Sequence, residues 1–321
     1  MTANIRNSTS NASYKMMAHL PASACIPWAA VLITECLAIV ILNIITIIVF
    51  VKQRQLQRRS TCLIIHLAIV DLLVGAVSGP LQIAYRFGHY CDQWSYNSNT
   101  ALSSYIKFAL LHLFSFTSIV NLVFISLERL HSTFCPFKHR FINKWIYGVI
   151  ITVIWSTTTA RDSVQIVLKE KGISSFYLDS ILYLPFYLIS IFLICVCYIL
   201  IVVKFRCSRH PYHHGAASLR ERKLTGTSLI VALVSLLSWL PVITFVTIHI
   251  FHNQLVLDLS RWSYFHIKMT VLLSFLANSI VNPVIYALRI PGYRAGVSQI
   301  VCRASNGTIP ADLPLRNLRP A

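Results

Sequence analysis

Seven stretches of the chain are long and almost free of charge: 27–51, 61–85, 101–128, 145–168, 178–203, 225–251 and 264–288. Each reaches the ~20 mostly apolar residues that a helix needs to cross hydrocarbon. The fourth is the most polar, because Ser156-Thr157-Thr158-Thr159-Ala160-Arg161-Asp162-Ser163 lies inside it. No apolar stretch falls within the first 20 residues, so no cleavable signal is expected and the first span must direct insertion. The pattern predicts an all-α membrane protein, a seven-transmembrane helix bundle. No repeat at a fixed period is evident, and the two halves carry no matched broken helices. That weighs against a transporter built from inverted repeats.

Composition agrees. Hydrophobic residues make up 56% and charged residues 12%, against ~45–50% and ~25% in soluble domains. Lys and Arg total 28 and Asp and Glu 10, for a net charge of +18. A nucleic-acid binder would set that charge on one folded surface with a polar remainder. Here it sits in short clusters between uncharged runs, so nucleic acid is not an expected partner. The clusters border alternate ends of the spans: Lys52 to Arg59, Arg129 to Lys144, Lys204 to Lys223, and Arg289 onward. Basic residues mark the cytoplasmic side, which places the amino end outside and the carboxyl end inside. The sequons at Asn7 and Asn11 lie in the tail expected outside, as glycosylation sites. Asp92, Asp162, Glu170, Asp179 and Asp258 fall on the outer side. Of nine cysteines, only Cys25 and Cys91 fall there too, as a disulfide or as two thiols.

Polar side chains inside a span face the bundle interior. At 1.5 Å per residue from the basic borders, Asp71, Ser118 and Asn278 all lie about 16–18 Å deep. That is mid-way through a core of ~30 Å. Asn43 and Asn282 are slightly nearer the inner side. Two readings fit: a site for a small hard cation such as sodium, or a hydrogen-bonded cluster that fixes helix register. Lys107, Ser118 and Arg129 recur at intervals of 11 and share one stripe. At the inner end, Arg129 and Glu221 either form a partly desolvated, breakable pair or snorkel to water separately. Pro241 beside Trp239 and Pro283 beside Asn282 kink their helices, as hinges or as fixed bends. The interior has no paired nucleophile and base, so no enzyme activity is expected.

In chain order stand Asn43, Leu67-Ala68-Ile69-Val70-Asp71, Glu128-Arg129-Leu130, Trp155, Ser238-Trp239-Leu240-Pro241 and Asn282-Pro283-Val284-Ile285-Tyr286. Over residues 27–302 the chain therefore resembles a rhodopsin-like (class A) G-protein-coupled receptor. That family has Asp/Glu-Arg-Tyr, Cys-Trp-x-Pro and Asn-Pro-x-x-Tyr at the triplet and at the last two positions. The segment Asn278–Arg294 is most similar to the adenosine, melanocortin and cannabinoid receptor cluster. The resemblance implies that Phe137, after Pro136, docks into a heterotrimeric G protein, with Glu128, Arg129, Glu221 and Tyr286 in the coupling machinery. Arg289-Ile290-Pro291-Gly292-Tyr293-Arg294 resembles a short amphipathic eighth helix, whose face of Ile290, Tyr293, Val297, Ile300 and Val301 suits the membrane interface. Cys302 is its palmitoylation candidate.

The sequence also departs from the family. Ser104 stands where a Cys bonded to the second outer loop is usual, and 169–179 contains no Cys. Ser190 replaces the usual fifth-helix Pro, Ser235 a sixth-helix Phe, and Leu130 the Tyr after Arg129. Melanocortin, cannabinoid and lysophospholipid receptors share the first two losses. The same comparison narrows the ligand: Leu111 stands where amine receptors have Asp, Leu276 where opsins have the retinal Lys, and Val246 where adenosine receptors have Asn. The expected ligand pocket is then Leu111, Trp239, Val246, Leu272 and Phe275, with Lys107 and Lys268 nearer the outer rim. Those two lysines either meet a lipid-like or acidic ligand or snorkel to headgroups.

These readings imply an outer tail at 1–26, a receptor bundle at 27–288, the amphipathic helix at 289–302 and a cytoplasmic tail at 303–321, in the plasma membrane. The expected function is to transduce an extracellular ligand to G proteins, with membrane lipid as a further partner. No cofactor is expected beyond a candidate allosteric sodium ion at Asp71, Ser118, Asn278 and Asn282. A constitutive orphan receptor, a silent heterodimer partner and, behind both, a transporter are the alternatives.

Overall fold

Residues 20–53, 56, 61–91, 101–171, 176–207 and 216–306 are described in the computed structural model. All seven uncharged runs are helical, since in lipid only internal hydrogen bonding satisfies the backbone. The helices are α1 (Ala22–Lys52), α2 (Thr61–Tyr90), α3 (Ala101–Phe134), α4 (Lys144–Glu170), α5 (Phe176–Cys207), α6 (Ala216–Phe251) and α7 (Arg261–Arg289). An eighth, α8 (Pro291–Asn306), follows α7 after Ile290 alone and runs past residue 302. Short helical turns occupy Pro136–Arg140 and Asn253–Leu257.

The outside of the bundle is apolar, and polar side chains are buried within it among apolar ones. Along α1, Leu32, Cys36, Ile39, Asn43, Thr46 and Phe50 are buried, at the 3–4 residue spacing of one helix face. Ile33, Leu37, Ile41 and Ile44 on the opposite face are exposed, as are Phe192, Leu237 and Leu288 (70%) elsewhere. Meanwhile Asn43, Asp71, Thr117, Ser118 and Asn121 are wholly buried. Exposed apolar surface of this extent marks contact with lipid, and buried polar groups are how a bundle specifies its register. Six of the helices are long and apolar enough to cross a membrane. The seventh, α4, is long enough but carries the polar stretch, whose hydroxyls return to their own backbone. Thr157, Thr158, Thr159 and Ser163 each donate to the carbonyl four residues earlier, at 2.7–3.0 Å. A hydroxyl satisfied in this way can sit in hydrocarbon without a partner helix.

Two departures from regular helix shape the bundle. In α2, Val74–Ser78 forms a π-helical turn. Pro80 explains it: the proline has no N–H for the carbonyl of residue 76, and its ring would clash there. The turn also brings α1 and α2 together through glycines. A Cβ on Gly75 would lie 2.8 Å from Ile39 Cγ2, and one on Gly79 would collide with Cys36 Sγ. The second departure is at the start of α1. Cys25 and Cys91 are joined in a disulfide with their Cα atoms 6.4 Å apart. It ties the first turn of α1 to the end of α2, and Leu20 bridges to Cys91 beside it.

The buried apolar side chains fall into two clusters. One, toward the disulfide end, contains Phe87, Phe116, Tyr187, Trp239, Phe265 and Phe275. The other, toward the Arg129 end, contains Leu67, Ile125, Tyr198, Ile285, Tyr286 and Tyr293. The wholly buried polar residues around Asp71 belong to neither.

Candidate functional site

At the bundle's mid-depth three helices converge on one carboxylate. Asp71 Oδ1 on α2 accepts hydrogen bonds from Ser118 Oγ on α3 at 2.9 Å and from Ser279 Oγ on α7 at 3.0 Å. Its Oδ2 accepts from Asn282 Nδ2 at 2.6 Å. Asn43 Nδ2 on α1 donates to the Ser279 carbonyl at 3.1 Å. Of the four residues expected here, Ser118 and Asn282 bond to Asp71 and Asn278 does not. Its neighbour Ser279 does, three residues from Asn282 and so on the same helix face. Sequence counting missed Ser279, because it fixes depth but not rotation about the axis. The side-chain oxygens of Asn43, Asn278 and Asn282 are buried with no partner among the described residues. The donor set is thus a carboxylate, two hydroxyls and three amide oxygens, all hard ligands of the kind sodium takes.

Toward the disulfide end, Trp239 is almost wholly buried. Its ring centroid lies 4.4 Å from that of Tyr187 and 5.1 Å, edge-on, from that of Phe275. Leu272 is buried in the same apolar cluster, and Val246 on α6 is half-buried. The side chains of Lys107 and Leu111 lie outside the described residues. Lys268 turns over the Tyr264 ring, with Nζ 4.8 Å from its centroid.

A second arm, unforeseen from the sequence, reaches α4. Arg161 lies 3.4 Å above the Phe116 ring and 4.5 Å from Tyr183, and pairs with Asp162. Phe116 and Tyr183 are stacked at 5.1 Å, His112 lies 5.2 Å from Tyr183, and Tyr183 donates to Gln165. Asp162, read from the sequence only as lying toward the outer side, is buried inside the bundle. Its neighbouring cation offsets there the hydration that the carboxylate has lost by burial. The adjacent opposite charges at 161 and 162 inside an uncharged run were the signal for this pair.

At the other end Arg129 Nε and Nη2 donate to Glu128 Oε2 at 2.6 and 2.5 Å. Glu128 Oε1 accepts from His139 Nε2 at 2.7 Å. His139 stands on the turn Pro136–Arg140 and was also unforeseen. The Glu221 side chain lies outside the described residues. Phe137 projects outward, 83% exposed, and Tyr286 is buried edge-on against Phe50 at 5.6 Å. Thr46 and the Tyr293 hydroxyl, 2.9 Å apart, fasten α8 to α1. Cys302 is exposed on α8, while Asn7 and Asn11 fall outside the described residues.

The profile of the 7 transmembrane receptor (rhodopsin family) matches residues 42–286, which is most of the chain and includes the whole cluster around Asp71. The chain belongs to the rhodopsin family of seven-transmembrane receptors. Its similarity to curated members is distant but extends over most of its length. It is 24% identical to the histamine H2 receptor of Cavia porcellus, over 90% of this chain and 84% of that receptor. It is 23% identical to the somatostatin receptor type 1 of Rattus norvegicus, over 81% of this chain and 68% of that one. A shorter match to the histamine H4 receptor of Mus musculus is 30% identical, over 42% of this chain and 33% of that receptor. As a rhodopsin-family receptor the protein is a G-protein-coupled receptor and a multi-pass membrane protein, not an enzyme.

Proposed function

We propose that this receptor lies in the plasma membrane with its amino end outside. It would receive a small-molecule ligand in the aromatic chamber above Trp239 and signal to a G protein at the Arg129 end. The observation that carries the reading is the packing of Trp239, which touches Tyr187 on α5 and Phe275 on α7 two residues before Pro241. A ligand that alters this contact alters the bend of α6, and a state with α6 swung outward gains population by that difference in affinity. Lys107, Leu111, Val246, Lys268 and Leu272 complete the proposed pocket. The relatives' names mention histamine and somatostatin, but Leu111 stands at the position of the amine receptors' Asp. An ammonium ligand therefore lacks its usual counter-ion.

At mid-depth Asp71 would hold a sodium ion together with oxygens of Ser118, Asn278 and Asn282. When bound, the ion supplies a positive charge that neutralises the carboxylate. Asp71 itself ties α2, α3 and α7 together, so whatever strengthens that tie disfavours movement of the helices and agonist binding by the same free energy. At the inner end Arg129 is held by Glu128, and a pair of Arg129 with Glu221 of α6 would close the surface that Phe137 flanks. Glycans at Asn7 and Asn11 and a palmitoyl chain on Cys302 would mark the two sides. The residues before 27 then form an outer tail, 289–302 the interfacial helix and the remainder a cytoplasmic tail facing anionic lipid.

The test is guanine-nucleotide exchange by purified G proteins on the reconstituted receptor, screened against lipids, nucleosides and peptides with a ligand-free baseline. A ligand that raises exchange in the wild type and not in Trp239→Ala supports the reading. High exchange without ligand, unchanged by every compound, would favour constitutive signalling instead. That second reading draws on Ser235, which is buried, its hydroxyl without a partner among the described residues, where the family has a ring.

A further inference from the structure

At the outer end of α2 and α7 two cations lie close together, with no acid beside them among the described residues. Arg86 Nη2 donates to Gln82 Oε1 at 3.0 Å, and Nη1 reaches the Lys268 carbonyl at 3.5 Å. Its Nε is buried with no partner among the described residues. Lys268 lies within the field of that guanidinium, and His249 on α6 lies within the field of Lys268. The other ionisable groups acting on Arg86 are the phenols of Tyr85, Tyr90 and Tyr264, and no described carboxylate acts on either cation.

An arginine cannot shed its proton to escape such a setting, and taking like charges even partly out of water with no carboxylate between them is costly. The ordinary remedy is an anion between the two cations, bound by charge-assisted hydrogen bonds. The surroundings add an apolar path. Lys268, Leu272 and Phe275 follow one another at helical spacing down a single face of α7, toward Trp239. We infer that Arg86 and Lys268 form the seat for the acid group of this receptor's ligand, a carboxylate or phosphate monoester on an apolar body that lies along Leu272 and Phe275. The inference rests on the reading of the chamber above Trp239 as the ligand pocket.

The test uses the purified full chain in nanodiscs of uncharged lipid, with thermal unfolding as the readout. The probes are oleate, oleoyl phosphate, oleyl alcohol and the water-soluble phenyl phosphate. At least one acid should raise the midpoint by several degrees, whereas oleyl alcohol should not. The gain should vanish in Arg86→Gln and Lys268→Gln and survive in Lys268→Arg. Stabilisation by the oleoyl acids alone assigns a membrane source for the ligand, and stabilisation by phenyl phosphate a soluble one. Without any probe, each Gln variant should melt about 2–4 °C above wild type, because a repulsion is relieved. Equal effects of acid and alcohol, gains that persist in both Gln variants, or no gain with any acid would each overturn the inference. G-protein nucleotide exchange measured in the same nanodiscs separates the two readings. Exchange that responds to other ligands while acids fail sinks only the acid seat, and acid binding that never alters exchange sinks the signalling role of the chamber.

Discussion

Asp71 and the Arg86–Lys268 pair are both charges inside the bundle, but they are provided for in opposite ways. Both carboxylate oxygens of Asp71 meet donors, from α3 and from α7. Arg86 has a buried Nε without a described partner and lies beside a second cation. A satisfied charge holds helices together, whereas an unsatisfied one stores free energy that an incoming ligand can release. Arg161 stands between these extremes. It has its own acid in Asp162 and the Phe116 ring beneath it, yet its Nε and Nη1 find no described partner. The centre of the bundle thus has its charge satisfied by neighbouring helices, and the end near the disulfide carries the pair proposed to take up an acid.

That contrast predicts substitutions of opposite sign. Asp71→Ala strands three buried donors, at about 1–3 kcal/mol each. The thermal midpoint should fall by roughly 6 °C or more, at about 2 °C per kcal/mol. A drop under about 2 °C would mean the three bonds do not hold the helices. Asp71→Asn should fold nearly normally, because Asn282 can flip its amide to present its oxygen. Its midpoint should no longer respond to replacing choline with sodium; a retained response would remove the ion from this site. Next in size, Asp162→Ala leaves Arg161 buried without its acid, a loss of about 3–5 kcal/mol. Adding Arg161→Met should recover most of it. If the double variant melts as low as the single one, Arg161 is held by its rings rather than by Asp162.

What the sequence makes legible here follows from helix geometry. Depth along a helix is a fixed rise per residue, so counting places Asp71, Ser118 and Asn278 at one level with Asn282 slightly nearer the inner side, and Ser118 and Asn282 do meet Asp71. Rotation is less secure, and it decides for Ser279 over Asn278 as the partner of Asp71. Beyond the π-helical turn at Val74–Ser78 the count also slips in angle, so the inward aim of Arg86 cannot be read from regular periodicity. Arg161 and Asp162 are hidden for another reason. A lone charge in a span belongs to its nearer surface, but a neighbouring pair of opposite sign neutralises itself in place. The disulfide is legible only as a choice, since Cys25 and Cys91 lie 66 residues apart and only folding brings them together.

The smallest expected effect is at the Arg129 end, where the charges form a satisfied chain. Arg129 donates to Glu128, and His139 donates to the other oxygen of the same carboxylate. His139→Ala removes one hydrogen bond to a charged group without touching Arg129. At about 1 kcal/mol the closed state should lose roughly fivefold in population relative to the open one. Basal nucleotide exchange should rise by up to that factor, while the thermal midpoint moves by only about 2 °C. His139→Gln, which keeps an N–H donor in reach, should stay near the wild-type baseline. Equal exchange in Ala and Gln variants would show that the histidine contributes packing to the turn Pro136–Arg140, and that Glu128 holds Arg129 unaided.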